Sequence, residues 1–377
     1  MAPYRVPLAH PKPDMQAFLD AMDGRKVPAR PPLVEYIVDN AVMRPIVTGM
    51  LGRQWVEPGA ITEFTGGQMD FSRENRDLTN HWLDNQIAFW LHMGYDFIRI
   101  ESCPPLPARP MLTGDTARGS EGHDRAWQEL HEGPIRTWED FEKYPWPQVS
   151  ERDFYTHQYI CKHLPDGMGL ISCHAGGVFE HASRLMGYEH LCYCLVDDPA
   201  LVQAVADKLG DQIHRYNEHL CQLDKLAVIL QGEDLGFNTQ TLIPPDDIRE
   251  CFLPWHKKYV RLAHQHGKRY YLHSCGKVDA IMEDLIEDVG IDGKHSFQEG
   301  VQSVRDIKQR YGKRICLLGG VDVDRLTSDR PEDLRTYVRE IIDTCAPGGR
   351  FAIGSGNSIP SYVPVENYLT MLDEALR

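Results

Sequence analysis

From about residue 32 to its end, the chain alternates short apolar runs with amphipathic helical segments, and this alternation restricts it to a parallel α/β architecture. The runs are PLVEYI (32–37), DFIRIE (96–101), GMGLISC (167–173), AVILQGE (227–233), RYYLHSC (269–275), GIDGKHS (290–296), ICLLGGVD (315–322) and RFAIGSG (350–356). Most are rich in β-branched or aromatic residues, as strands covered on both faces are. The segment 244–268 between two of them opens with acidic residues and ends in a basic turn followed by glycine, which suits both poles of a helix dipole. Segments 277–290, 301–312 and 329–349 repeat the arrangement, and 363–377 closes the chain with an apolar stripe. Eight strands, each followed by a helix, predict a single (β/α)8 TIM barrel with right-handed crossovers. An open doubly wound sheet is the alternative, and it usually uses fewer strands.

Two stretches stand outside the repeat. Residues 1–30 read as an N-terminal extension. Residues 102–166 form a long proline-rich excursion after the second strand, containing SCPPLPARPMLTGD and YPWPQ. An elaborated loop of that size on a barrel is expected to act as a lid or wall of the active site. The expectation is one domain over residues 1–377.

Composition narrows the partners. The net charge of −15 argues against nucleic acid, whose phosphates need clustered positive charge, and against anionic membranes. No apolar run is long enough to cross a bilayer. The polar, proline-rich start MAPYRVPLAHPKPD does not resemble a secretory signal, so the cytoplasm is the expected address. Ten cysteines spread over 377 residues do not make a disulfide framework. The CxC in LCYCL (191–195) sits in an apolar helical pattern and reads as core.

Functional residues of such a barrel gather at the carboxyl ends of its strands. Those ends carry Glu35, Glu101, Cys173, His174, Glu233, Asp234, His273, Cys275, His295, Asp322, Ser355 and Asn357. His273 and Cys275 are the leading pair. At i and i+2 of a strand both would face the barrel mouth, and an imidazole with a thiolate suits zinc. The competing explanation is a hydrogen-bonded core histidine beside an inert cysteine. A catalytic zinc needs a third protein ligand, for which Glu233 and His295 are the candidates. Glu233, Asp234 or His295 would serve as a proton donor where not a ligand. Tyr36, Phe179 and Phe237, with Glu35, Ser355 and Asn357, are the expected substrate-binding groups. The glycine-rich GSGNSIP (354–360) lacks the lysine of a phosphate-binding loop and reads as a tight turn close to a ligand.

Residues 233–286 (EDLGFNTQTLIPPDDIRECFLPWHKKYVRLAHQHGKRYYLHSCGKVDAIMEDLI) and the segments LLGGVDVDRL and PGGRFAIGSGNSIPSYVPVENYLTMLDEAL resemble the C-terminal half of the uroporphyrinogen decarboxylase superfamily. RTWEDFEKYPWP (136–147) and GGVFEHASRLMGYEHL (176–191) carry the likeness further upstream. The resemblance implies a TIM barrel. True uroporphyrinogen decarboxylases carry an arginine-rich segment near the first strand that grips substrate carboxylates. This chain has PLVEYIVDNAVMRPIVTGM there, with acids at Glu35 and Asp39. The zinc-dependent, cobalamin-linked methyltransferases are the nearer branch, since their H-x-C corresponds to His273 and Cys275. A third cysteine found in the coenzyme M enzymes would fall at Ser355, where serine stands.

The resemblance therefore implies a zinc-dependent methyltransferase that moves a methyl group between a small methylated substrate and a corrinoid (cobalamin) carried by a partner protein. One rival is a cofactor-free decarboxylase of a carboxylated tetrapyrrole or aromatic substrate. Another is a non-catalytic tetrapyrrole-binding barrel. The methyl donor, the corrinoid partner and the choice between monomer and homodimer stay open.

Overall fold

The structure, a computed structural model, describes residues 4–62, 69–108, 110–112, 126–128 and 132–377. Seven strands form one sheet in which every neighbouring pair is parallel and spatial order follows chain order. They are β1 (Phe97–Ser102), β2 (Gly169–His174), β3 (Leu226–Gly232), β4 (Arg269–His273), β5 (Gly293–His295), β6 (Cys316–Leu318) and β7 (Phe351–Ala352). With helices between successive strands, this is the TIM-barrel α/β fold that the alternation predicts.

The expected first strand, 32–37, is the exception. Leu33 makes a single parallel bridge to Ile353, and Val38 makes another to Ile359. Between these bridges the Glu35 carboxyl group does the work of a backbone ladder. It accepts from the Ser355 N–H at 2.8 Å and from the Ser355 hydroxyl at 2.6 Å. The backbones cross so tightly here that a Cβ on Gly354 would lie 1.7 Å from the Val34 carbonyl oxygen. Residues 33–38 thus form an irregular eighth stave, joined to β7 by bridges and a side chain. Against β1 this stave is held by side chains: the Tyr36 hydroxyl donates to Glu101 at 3.4 Å, and the Arg99 guanidinium lies 3.6 Å from the Tyr36 ring.

The later strands are shorter than the apolar runs suggest. The run 315–322 yields only Cys316–Leu318, because Gly319 and Gly320 take φ of +86° and +124° and leave the extended region. The helices pack in the ordinary way. In Pro199–Cys221, Asp198 caps the first turn, and Leu201, Val205, Leu209 and Ile213 recur every fourth residue as a buried stripe.

Residues 1–30, expected as an extension, contain a helix, Met15–Met22, that plugs the amino ends of the strands. Asp14 caps it, Phe18 packs edge-on against Phe97 at 5.2 Å, and the Ala21 carbonyl accepts from Arg350 N–H. The excursion 102–166 holds a small antiparallel pair (Pro110–Leu112 with Ala126–Gln128) and two helices, Trp138–Lys143 and Tyr155–His163. The rest of its tip lies outside the described residues, so its expected role as a lid stays an expectation. Among the described residues no helix is long and apolar enough to cross a membrane.

Candidate metal centre

β4 ends at His273, so the strand pleat is not what aligns His273 with Cys275. The turn that follows does it. Gly276 takes φ +72°, and a Cβ there would meet the backbone of Gly236 at 2.3 Å. Two glycines therefore let the loops after β3 and β4 touch, and the Lys277 N–H donates to the Phe237 carbonyl at 2.7 Å. This contact delivers Asp234 to Cys275, whose N–H donates to Asp234 Oδ1 at 2.8 Å.

Asp234, His273 and Cys275 each offer one ligand atom, and all three atoms lie within 4.8 Å of one another. His273 Nε2 is 3.4 Å from Cys275 Sγ and 3.7 Å from Asp234 Oδ1. Tetrahedral bonds of about 2.0–2.3 Å place neighbouring ligand atoms roughly 3.3–3.8 Å apart, so these spacings suit one divalent ion. A nitrogen, a sulfur and a carboxylate oxygen are a zinc-compatible set with a fourth position left for substrate.

The groups behind the ligands fix their orientation. His295 Nε2 faces the Ser355 carbonyl at 3.3 Å, which can only accept, so His295 Nδ1 is left as an acceptor. Its neighbour at 2.6 Å is His273 Nδ1, which must then carry the proton. That tautomer turns the lone pair of His273 Nε2 toward Cys275 and Asp234. Tyr36 stacks flat on the His273 ring, with centroids 3.9 Å apart. Asn357 Nδ2 donates to Cys275 Sγ at 3.2 Å, and the Ser296 hydroxyl approaches the same sulfur at 3.9 Å. The ammonium of Lys294, fully buried, donates to the carbonyls of Ser296 (2.8 Å) and Ser274 (3.3 Å). Burial pushes the Cys275 thiol up to about 12, and the charge of Asp234 adds to the shift. A cation bound there would reverse that balance and hold the sulfur as thiolate.

Several expected site residues are placed elsewhere. Glu233, expected as third ligand and proton donor, is fully buried and turned away from the cluster. Its Oε2 pairs with His256 Nε2 at 2.8 Å, and its Oε1 accepts from the Glu180 N–H at 3.0 Å, in the first turn of helix Val178–Met186. A carboxylate at a helix amino end is favourably placed, which accounts for Glu233 without a metal. His295, expected as ligand or proton donor, stands behind His273 with no exposure. Burial holds it neutral, lowering it to about 3. Glu35 and Ser355, expected at the substrate, are both fully buried and bonded to each other. Phe179 is buried against Phe252, with ring centroids 5.2 Å apart. Phe237 is 57% exposed on the rim. Tyr36 and Asn357 do reach the cluster, and Asp234 takes the position expected of Glu233.

Two groups at the mouth escape the strand-end reading. Arg99, with its side chain 2% exposed, pairs with Glu101. A charged residue in the middle of the apolar run FIRIE, on the same face as Glu101, was its signal. Glu180 lies on a helix rather than at a strand end. Burial first, then the charges of Asp234 and Glu233, raise its carboxyl well above the ordinary range.

Comparison with known proteins agrees with this architecture. A methyltransferase from Methanosarcina mazei superposes with a TM-score of 0.67 at 15% identity, covering 97% of this chain and 98% of its own. A putative vitamin-B12 independent methionine synthase from Listeria monocytogenes gives 0.51 at 10% identity, covering 93% and 96%. At such identities the likeness is one of fold. No curated protein matches the sequence. The profile of uroporphyrinogen decarboxylase (URO-D) matches residues 129–377, more than half of the chain, and the protein belongs to that family.

Proposed function

We propose that this protein is a zinc-dependent methyltransferase acting between a small methylated substrate and a corrinoid carried by a partner protein. The observation that carries the reading is the convergence of Asp234, His273 and Cys275 within 4.8 Å at the barrel mouth. A cofactor-free decarboxylase has no need of a thiol and an imidazole held at ligand spacing. The fold shared with a methyltransferase supports the same reading.

Bound there, zinc would act as a Lewis acid, polarising the heteroatom that loses the methyl group or keeping an acceptor thiol ionised. The chain's own residues do the rest. Asn357 stabilises negative charge on Cys275 by donating a hydrogen bond. His295 holds the proton relation that presents His273 Nε2. Tyr36 covers the His273 ring and keeps water from that face. Glu180, whose carboxyl is raised above the ordinary range by burial and by the charges of Asp234 and Glu233, is the mouth group suited to deliver a proton to a departing heteroatom.

The test uses free methylcobalamin with small thiols as methyl acceptors, read from the cobalamin spectrum as the methyl group leaves. Wild-type protein with zinc should demethylate it, and His273→Ala and Cys275→Ser should lose both the metal and the activity. Zinc-free protein that instead decarboxylates a carboxylated aromatic after chelation would defeat the proposal.

A further inference from the structure

Lys294, in the middle of β5, is fully buried. His295 turns toward His273, so strand alternation sends Lys294 to the opposite face, where its ammonium lies 4.8 Å from the Phe297 ring centroid. The two backbone carbonyls that accept from it both flank the metal cluster. Ser274 is the residue between His273 and Cys275, and the Ser296 hydroxyl approaches Cys275 Sγ at 3.9 Å. Among the described residues no carboxylate pairs with Lys294, and Asp279, which acts on it from outside the cluster, is itself paired with Arg310. Burial lowers the Lys294 ammonium to about 8, and the charges of Cys275, Asp234 and Asp279 oppose that shift, so it is largely protonated at pH 7. A buried cation without a paired anion is costly, which gives negative charge in the neighbouring cluster a stabilising role.

We propose that Lys294 is the counter-charge of the open fourth position of the metal centre, a positioning residue that selects a substrate entering there as an anion. Given the zinc reading on which this rests, the Asp234 carboxylate and the Cys275 thiolate balance the two charges of a divalent ion, and neutral His273 adds none. Asp234 then no longer offsets Lys294. A neutral ether or amine at the fourth position leaves the ammonium uncompensated, whereas a thiolate brings the buried ensemble to neutrality. Of the two ways in which zinc could act here, the charge balance favours the ionised acceptor thiol over the polarised donor. Lys294 does this through its field, since its own hydrogen bonds go to backbone carbonyls.

Cobalt(II) in place of zinc makes the site visible by absorption, and full-length protein is first titrated with this metal alone. The loaded protein is then titrated with 2-mercaptoethanol, which binds as thiolate, and with neutral imidazole, each read from the cobalt bands. Lys294→Gln keeps amide donors for the two carbonyls but removes the charge, and Lys294→Met removes both. Either variant should weaken the thiol at least about tenfold, as loss of a unit charge within a protein interior implies. The pH midpoint of thiol binding should rise by about one unit in step with that loss. Imidazole affinity should change by less than about twofold, and cobalt affinity should hold or rise, because one positive charge no longer opposes another. Wild-type thiol affinity in Lys294→Gln, imidazole weakened as much as the thiol, or loss of cobalt from that variant would make Lys294 a strut for the loops and overturn the proposal. Wild-type protein that binds no cobalt would overturn the zinc reading and this proposal with it, a result distinct from intact metal binding with an indifferent Lys294.

Discussion

The backbone N–H of Cys275 donates to Asp234 Oδ1 at 2.8 Å, and this bond ties the loop after β3 to the loop after β4. Asp234 is thus both a candidate ligand and the clamp that positions another. Asp234→Ala removes a donor atom and releases the turn at once. Asp234→Asn keeps an oxygen for the Cys275 N–H but loses the charge. Both variants should bind zinc more weakly, the alanine by more than the roughly 10–100-fold typical of losing a supporting group. Elemental analysis and competition with a chromophoric chelator measure it. Wild-type affinity in Asp234→Ala would remove Asp234 from the site.

Glu233 and Asp234 are adjacent in sequence, yet their variants should behave oppositely. Glu233 is locked to His256 with neither side chain exposed. Glu233→Ala leaves the imidazole and the Glu180 N–H without their acceptor, a loss on the order of 3–5 kcal/mol. The melting temperature should fall sharply while zinc stoichiometry in the folded fraction stays near wild type. His295→Ala reverses the pattern in part, because it takes away the group that sets the His273 tautomer. Its zinc affinity should drop about 10–100-fold. Loss of zinc in a fully folded Glu233→Ala variant would show that the carboxylate swings toward the mouth.

Much of this arrangement was legible in the sequence because hydrophobic alternation and chain order are local signals. Seven of the eight expected strands are present, and His273 and Cys275 stand together, though the turn at Gly276 rather than the strand pleat brings them there. The first stave was not legible as irregular, since PLVEYI has a strand's composition. What breaks it is the approach of Gly354, more than three hundred residues away, and the Glu35–Ser355 bond that replaces the ladder. The choice between Glu233 and Asp234 was equally hidden. Adjacent residues point in different directions, and which one faces the mouth depends on where β3 stops and on the contact of Gly236 with Gly276.

The Glu35–Ser355 pair yields a prediction about barrel closure. Burial pushes the Glu35 carboxyl up to about 8, so at neutral pH it is largely protonated. Glu35→Gln should then be nearly neutral in stability at pH 7, because an amide offers a similar acceptor and donor. Glu35→Ala leaves the buried Ser355 N–H and hydroxyl unpaired and should cost about 2–5 kcal/mol. Urea denaturation at pH 7 separates the two. A glutamine variant as damaged as the alanine would mean that the ionised carboxylate is what closes the ring.

Acid sensitivity should come largely from histidines that the fold keeps neutral. His157 is fully buried with Nε2 2.8 Å from the Ser172 hydroxyl, and burial lowers it to about 4. His181 is likewise lowered to about 4, chiefly by burial. In the unfolded chain these imidazoles take up protons near pH 6.5, whereas in the native state they do so only near pH 4. Between those values the unfolded state binds more protons, so stability falls as pH falls, by up to about 1.4 kcal/mol per pH unit for each group. Above pH 6.5 their contribution is complete and flat. His157→Gln lowers stability at every pH but removes one proton from the linkage, so its stability profile between pH 6.5 and 4 should be shallower than wild type by about that amount. Urea midpoints measured across this window test the sign. A slope unchanged by the substitution would mean that His157 already titrates normally in the folded protein.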